Sequence, residues 1–258
     1  ELLLAGQDGN SRHLIRKWFG GHNPRVGFAW TPGMLGGKTV IRGAYSISNF
    51  QEGTGTNLRM PLNPPFNFEF ERIFEGSPTP GSTLDQGLNV IVAQDPFTGA
   101  NIRLWDKDFQ PGISQQWSLF IERQLPSQVV FTAGYLGQQN DHLVVPAPFF
   151  QRQLQPDGTT LPSPFLSGNP LLANIAQISG TDSNGNASYH GLQVSARKRF
   201  SQGLSFQLSY TFSKVMTDAT GFFGTGGGQS GAQSAWMQDF WNRRNEYGPA
   251  GFDQKHNF

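Results

Sequence analysis

The chain has 258 residues, of which only 14% are charged, and its net charge at pH 7 is +1. Its charged fraction is therefore well below the quarter or so that is usual for soluble domains. The chain is also rich in glycine (32 residues) and in aromatic residues (13%). The lack of cysteine excludes disulfide scaffolds and thiolate metal sites, and without clustered Lys and Arg no nucleic-acid partner is expected. No run of about 18 apolar residues occurs, so a transmembrane helix is not predicted, while a barrel of alternating strands stays possible.

Apolar and polar residues alternate with a period of two in three pairs of segments, and each pair predicts a β-hairpin. The hairpins are expected near 25–48, 115–137 and 188–214. One parity of each hairpin is apolar: Val26, Phe28, Trp30, Ile41 and Tyr45 in the first, Trp117, Leu119, Ile121, Phe131 and Tyr135 in the second, and Leu192, Val194, Leu208, Tyr210 and Phe212 in the third. A few apolar residues, Phe120 among them, fall on the polar parity.

Short and long connections alternate along the chain. Short turns are expected at 32–38, 126–128 and 201–203, and long loops rich in proline or glycine at 51–113, 139–187 and 217–251. In an up-and-down meander, such an order places all short turns at one end of the sheet and all long loops at the other. This is the plan of an outer-membrane barrel, with turns in the periplasm and loops outside the cell.

The two faces of the predicted sheet differ in chemistry. The apolar face carries aromatic and aliphatic residues, which suits lipid, and the polar face carries mostly Ser, Thr, Gln, Gly and Ala, which suits a hydrated lumen. The residues predicted to face the lumen are Gln193, Ser195, Arg197, Gln207 and Ser209. Arg123 and Lys198 lie on the apolar parity but close to short turns, where a long cation can reach the headgroups. A soluble β-sandwich also alternates, so period two alone does not decide between the two.

Motifs that would carry catalysis are weak. Gly36-Gly37-Lys38-Thr39 resembles the end of a phosphate-binding loop, but Pro32 stands where that loop needs its first glycine, and a strand follows in place of a helix. The histidines are scattered without ligand spacing. We therefore predict no catalytic residue, no cofactor, no metal site and no enzymatic activity.

Several segments resemble the barrel region of TonB-dependent receptors of the Oar-like group. They are 24–30 (Pro-Arg-Val-Gly-Phe-Ala-Trp), 37–45 (Gly-Lys-Thr-Val-Ile-Arg-Gly-Ala-Tyr), 115–119 (Gln-Gln-Trp-Ser-Leu), 130–137 (Val-Phe-Thr-Ala-Gly-Tyr-Leu-Gly), 189–193 (Tyr-His-Gly-Leu-Gln), 210–214 (Tyr-Thr-Phe-Ser-Lys) and the tail 242–258. The resemblance implies a barrel of about 22 strands with a plugged lumen, energised by the TonB complex of the inner membrane. The chain departs from that pattern in having no plug and well under half of the strands. We therefore expect residues 1–258 to be a partial barrel.

The function expected from these observations is that of a segment of an outer-membrane TonB-dependent receptor or transporter. Outer-membrane lipid, the TonB complex and an unidentified ligand are the expected partners. Aromatic residues of the third long loop, Trp236, Phe240 and Trp241, are the predicted ligand contacts. The alternative is a soluble β-rich binding or adhesion protein of lectin-like type.

Overall fold

The computed structural model describes residues 4–13, 15–51, 63–64, 97, 99–165, 172, 174–175, 177–219 and 237–258. Its strands, in chain order, are β1 (Arg25–Trp30), β2 (Thr39–Phe50), β3 (Asn101–Trp105), β4 (Gly112–Leu125), β5 (Val129–Ala147), β6 (Gln153–Leu154), β7 (Thr160–Leu161), β8 (Gln177–Ser201), β9 (Leu204–Thr217), β10 (Gly248–Pro249) and β11 (His256–Asn257). Single 3-10 turns occupy Gly33–Leu35, Pro126–Gln128 and Arg243–Glu246.

Nine of the strands form one sheet. Its antiparallel wall has the order β1-β2-β4-β5-β8-β9, so these six strands lie side by side in the order in which the chain reaches them. The short strands β10 and β11 pair with β9, and β3 pairs with β8 in parallel. The sheet is open, as in part of a barrel, and the predicted antiparallel meander is confirmed. Within the described ranges, no helix is long and apolar enough to cross a membrane.

The turn between β8 and β9 explains why the chain reverses tightly at this point. Gln202 and Gly203 both have positive φ, 54° and 75°, while Ser201 pairs with Leu204 across the turn. Two central residues with positive φ define a type I′ turn, whose twist matches that of the flanking strands.

The register aligns the two parities across the whole wall. One row of paired residues runs Ile41, Ile121, Ala133, Val194 and Tyr210. The next row runs Arg42, Phe120, Gly134, Gln193 and Thr211. Because side chains alternate along each strand, the apolar parity of every strand falls on one face of the wall.

Two strands continue beyond the alternating stretches. β5 has 19 residues and β8 has 25, whereas a transmembrane strand needs about 9–11. Their pairing therefore reaches well into the segment 139–187, for which the sequence predicts a loop, and is interrupted by register shifts around Leu143. At the N-terminal end of β8, β3 pairs with the edge of β8 that pairs with β9 from Ala187 onward.

Glycines of the wall lie under aromatic rings of the neighbouring strand. Register pairs place Phe28 beside Gly43, Phe50 beside Gly112, Trp117 beside Gly137 and Phe120 beside Gly134. A Cβ added at Gly134 would stand 2.1 Å from a ring carbon of Phe120. This explains why Phe120 is an apolar residue on the polar face, since its ring covers backbone that the glycine leaves bare.

We predict that Gly134→Ala destabilises the wall by about 1–3 kcal/mol, because the added methyl group must displace the ring of Phe120. Urea unfolding in detergent, followed by the gel-mobility shift of the folded form, measures the loss. Gly248→Ala is the control, because a Cβ there has no neighbour within 4 Å. Adding Phe120→Leu should restore part of the stability of Gly134→Ala, and no recovery would contradict the proposed clash.

Candidate functional site

The apolar face of the wall is exposed. Phe28 is 57% exposed, Leu119 49% and Leu208 65%, and many other large apolar residues of this face are similarly accessible. A soluble sandwich would bury this face against a second sheet, whereas a barrel wall presents it to lipid. The described wall therefore has the geometry of a membrane-facing surface, and the soluble alternative loses its main support.

The length of the apolar band fits a membrane. On β9 the band runs from Leu204 to Phe212, about 26 Å at about 3.3 Å per residue. A tilt of about 40°, usual for such strands, reduces the crossing distance to about 20 Å, close to the apolar height of about 25 Å in outer-membrane barrels.

Tyr45, Tyr135 and Tyr210 lie in three successive register rows of the apolar face and so run diagonally across the wall; we call them the aromatic row. The hydroxyl of Tyr45 donates to Gln115 Oε1 at 2.8 Å, and the hydroxyl of Tyr135 lies 2.5 Å from His190 Nδ1. Further along the row, the hydroxyl of Tyr210 is 2.9 Å from Nδ1 of His256 on β11. Rings that face lipid while their polar ends are hydrogen bonded are typical of the membrane interface.

The cations at the short-turn end behave differently from one another. Arg123 is exposed, as a cation reaching the headgroups would be. Lys198 is only 8% exposed, and its Nζ donates to the carbonyl of Ser127 at 3.0 Å and to Ser201 Oγ at 2.5 Å. The bulge between Lys198 and Ser201 brings the ammonium group over the adjacent turn. The expectation that Lys198 reaches the headgroups is wrong, because its ammonium group is buried and the turn carbonyl of Ser127 supplies a nearer partner.

The predicted lumen residues share the opposite, polar face. Cross-strand pairs join Gln193 with Thr211, Ser195 with Ser209 and Arg197 with Gln207. Their placement toward a lumen stays a prediction. On the same face, Arg42 Nη2 lies 3.3 Å from Glu122 Oε2, an ion pair that no sequence pattern predicts.

Beyond the membrane band, the described parts of the long loops pack into a loop assembly. Its apolar centre consists of Ile102 of β3, Ile178 of β8 and Ile175 just before β8, each at most 7% exposed. Val144 and Val145 at the end of β5 are also buried, with 2% and 0% exposure. The buried core of the chain thus lies at the loop end of the wall.

Gln151 connects the second long loop to the third. Its side-chain Nε2 donates to the carbonyls of Met237 (2.8 Å) and Gln238 (2.9 Å), and its Oε1 accepts from the N–H of Phe240 at 2.6 Å. The indole N–H of Trp241 donates to the backbone carbonyl of Gln151 at 2.9 Å. Nothing in the sequence distinguishes Gln151 from the other glutamines, so its role emerges only from the tertiary structure.

The predicted ligand contacts are partly embedded in this assembly. Phe240 meets Phe149 edge to face, with centroids 5.4 Å apart, and Trp241 stacks on Phe165 at 5.9 Å. Both Phe240 and Trp241 remain half-exposed. Trp236 lies outside the described residues, so its predicted role stays as it was.

A polar junction holds the third loop against β8 and β9. Nη2 of Arg243 is 3.5 Å from Asp218 Oδ2, within ion-pair range but without hydrogen-bond geometry, and Nη1 donates to Asn184 Oδ1. Asp218 Oδ1 in turn accepts the backbone N–H of Asn186 at 2.5 Å. The junction is largely buried, since the Arg243 and Asp218 side chains are 17% and 9% exposed.

Asp182, in the part of β8 beyond the membrane band, is a buried acid. It is 7% exposed, and this burial raises its pKa to about 6. The N–H of Ser183, which donates to Oδ1 at 2.6 Å, lowers the pKa, the charge of Asp106 raises it, and that of Arg243 lowers it. Burial therefore disfavours the ionised form of Asp182, which would be better solvated in water.

A lipid-facing antiparallel wall with long loops packed at one end defines the class of transmembrane β-barrel proteins. The family model described as "Outer membrane beta barrel domain" matches residues 1–258, and the chain belongs to this family. The expected location in the bacterial outer membrane is thereby confirmed.

Comparison with solved structures finds the outer membrane transporter YddB from Escherichia coli, with a TM-score of 0.42 and 11% sequence identity. The match covers 70% of this chain and 18% of the transporter, so the chain spans less than a fifth of that protein. No protein of curated function matches the sequence.

We predict that Leu208→Arg costs about 2–4 kcal/mol of stability in lipid, because it places a charge near the middle of the apolar band. Ser209→Arg, one residue along on the polar face, should cost much less. Urea unfolding in lipid vesicles measures both variants. Equal costs would contradict the assignment of the two faces. A second measurement places a nitroxide label at Leu208, and a label that lipid-soluble quenchers cannot reach would contradict the assignment as well.

We predict that Asp182→Asn stabilises the loop assembly at pH 7.5 by on the order of 2–3 kcal/mol. In the wild type, the raised pKa means that ionised Asp182 weakens the assembly above about pH 6. This loss of stability shrinks as the pH falls through 6 toward the ordinary carboxyl pKa near 4, because Asp182 becomes protonated. The two proteins should thus converge near pH 4.

Hydrogen exchange of the Asp106 N–H, which donates to the Thr181 carbonyl at 3.2 Å, reports the opening. Free energies are compared between variants at equal pH, so the intrinsic exchange rate cancels. A difference that is the same at pH 7.5 and pH 4 would show that titration of Asp182 is not its cause.

Proposed function

We propose that the chain supplies wall and loop assembly to a TonB-dependent outer-membrane receptor of the Oar-like group, which binds a ligand outside the cell and imports it. The observation that carries this proposal is the joint position of a lipid-facing wall and a packed loop assembly at its long-loop end. A receptor needs both features, because the wall anchors the protein and the ordered loops present a surface of fixed shape.

The aromatic cluster is the proposed ligand contact. Phe240 and Trp241 are half-exposed, and their backs are fixed by Phe149, Phe165 and the hydrogen bonds of Gln151. Rings held in place lose little conformational entropy when a ligand binds, which favours affinity. Trp236, which lies outside the described residues, stays a predicted ligand contact from the sequence.

The polar face is the proposed lining of the hydrated interior. Gln193, Ser195 and Ser209 offer neutral hydrogen-bonding groups, and Arg197 and Gln207 lie as a cross-strand pair nearer the short turns. The role is proposed to be non-enzymatic, without a cofactor. The energy for import would come from the TonB complex acting on the complete receptor, because a barrel wall holds no energy source of its own.

Uptake by whole cells tests the proposal. Cells that produce the protein receive a labelled ferric chelate, oligosaccharide or peptide. TonB-dependent receptors, which the chain resembles, take up ligands of these classes. One class should accumulate above the level of a deletion strain, and a protonophore should abolish the accumulation. Uptake that survives the protonophore would indicate a passive pore, and no uptake of any class would overturn the import proposal.

In this assay, the variant Gln151→Ala tests the contribution of the loop assembly independently of the wall. We expect it to lower uptake at least tenfold while the folded amount in the membrane stays unchanged, because it frees Met237, Gln238 and Phe240 from the second loop. Gln238→Ala is the matched control, since Gln238 is exposed and only its backbone carbonyl binds Gln151. Equal uptake by the two variants would exclude a role for the Gln151 connection.

A further inference from the structure

Exposed nitrogen-bearing side chains gather on adjacent strands at the long-loop edge of the apolar band. They are His190 on β8, Lys214 on β9, His256 on β11 and Lys255 directly before β11, and all are exposed. We call this set the basic rim. None of these residues is needed for the ligand-binding and lumen roles described above.

The basic rim lies on the lipid-facing side of the wall. Lys214 pairs directly with His190, and both share the parity of Phe212 and Leu192, which is the apolar face. Nζ of Lys255 stands 5.7 Å from the centre of the Phe212 ring. The ammonium groups are therefore carried at the outer edge of the apolar surface.

Both imidazoles are oriented by tyrosines of the aromatic row. The ring of His190 stacks on Tyr135, with 18° between the planes, and that of His256 stacks on Tyr210 with 22°. Each His uses Nδ1 toward the tyrosine hydroxyl. This leaves Nε2 of both rings as the nitrogen available to a molecule outside the wall.

The carboxylate of Asp253, close by in the chain, is already engaged. Its Oδ1 accepts the backbone N–H of Val215 at 2.8 Å, and the residue is half-buried. Within the described residues, no carboxylate forms an ion pair with Lys214 or Lys255, so both ammonium groups can meet an external partner.

We propose that the basic rim binds the phosphate of an anionic lipid headgroup on the long-loop side of the membrane. The acyl chains of such a lipid would lie along the apolar residues below, such as Leu192 and Phe212, and its phosphate would meet the ammonium groups at their upper edge. Position therefore favours a lipid over a soluble anion, because only a lipid uses both surfaces. The inference rests on the outer-membrane location and on the proposed orientation of the loops.

Lipid retention by the purified protein tests the proposal. The protein is extracted in a mild detergent, incubated with phosphatidic acid or phosphatidylcholine, and its bound lipid is counted by native mass spectrometry. Each lysine near an anionic surface strengthens binding about fivefold. Lys214→Gln combined with Lys255→Gln should therefore weaken phosphatidic acid binding about 25-fold at low salt and leave phosphatidylcholine binding unchanged.

The control variant removes the same charge elsewhere. Lys17→Gln combined with Lys107→Gln replaces two exposed lysines away from the apolar band and should bind phosphatidic acid like the wild type. Equal loss in both double variants would reduce the effect to net charge and overturn the proposal, as would wild-type binding by the rim variant. Full displacement by equimolar inorganic phosphate would assign the site to a free anion.

The gel-mobility shift of the folded form confirms that each variant is intact before binding is measured. This assay needs neither uptake nor the proposed ligand. A failure of the import proposal therefore leaves the lipid result interpretable, and the reverse also holds.

Discussion

Antiparallel pairing in a register that keeps every apolar parity on one face is the constraint on which the structure depends. Ile41, Ile121, Ala133, Val194 and Tyr210 form one continuous row across the wall. A shift of a single residue in one strand would move its apolar side chains to the polar face and its Ser, Thr and Gln into lipid. The membrane surface, the aromatic row and the basic rim all follow from this alignment.

The wall could be predicted from the sequence because its physics is local and periodic. A strand with lipid on one side and water on the other must alternate, and turns such as Gln202-Gly203 have residues that tolerate positive φ. The extensions of β5 and β8 could not be predicted in this way. Beyond the band, neither face meets lipid, so alternation is not required, and the strands there contain Asn, Asp, Gly and Pro.

The functional end of the molecule is less visible in the sequence, because it depends on contacts between distant segments. The aromatic composition of the third loop indicated Phe240 and Trp241, but their packing against Phe149 and Phe165 requires the second loop to lie beside them. Gln151 and the Arg243 junction are single polar residues with no local pattern. Lys198 shows the same limit, since a turn carbonyl distant in sequence decides its position.

The parallel pairing of β3 with β8 gives the loop end a mechanical property. β3 occupies the edge of β8 from Gln177 to Thr181, while β9 pairs with the same strand from Ala187 onward. The first loop is therefore joined to β8 through a backbone ladder, and the third loop is joined to β9 both through the short strand β10 and through side chains such as Arg243. Because β8 and β9 both continue into the membrane band, each of the two loops is anchored by backbone pairing to a strand of the wall.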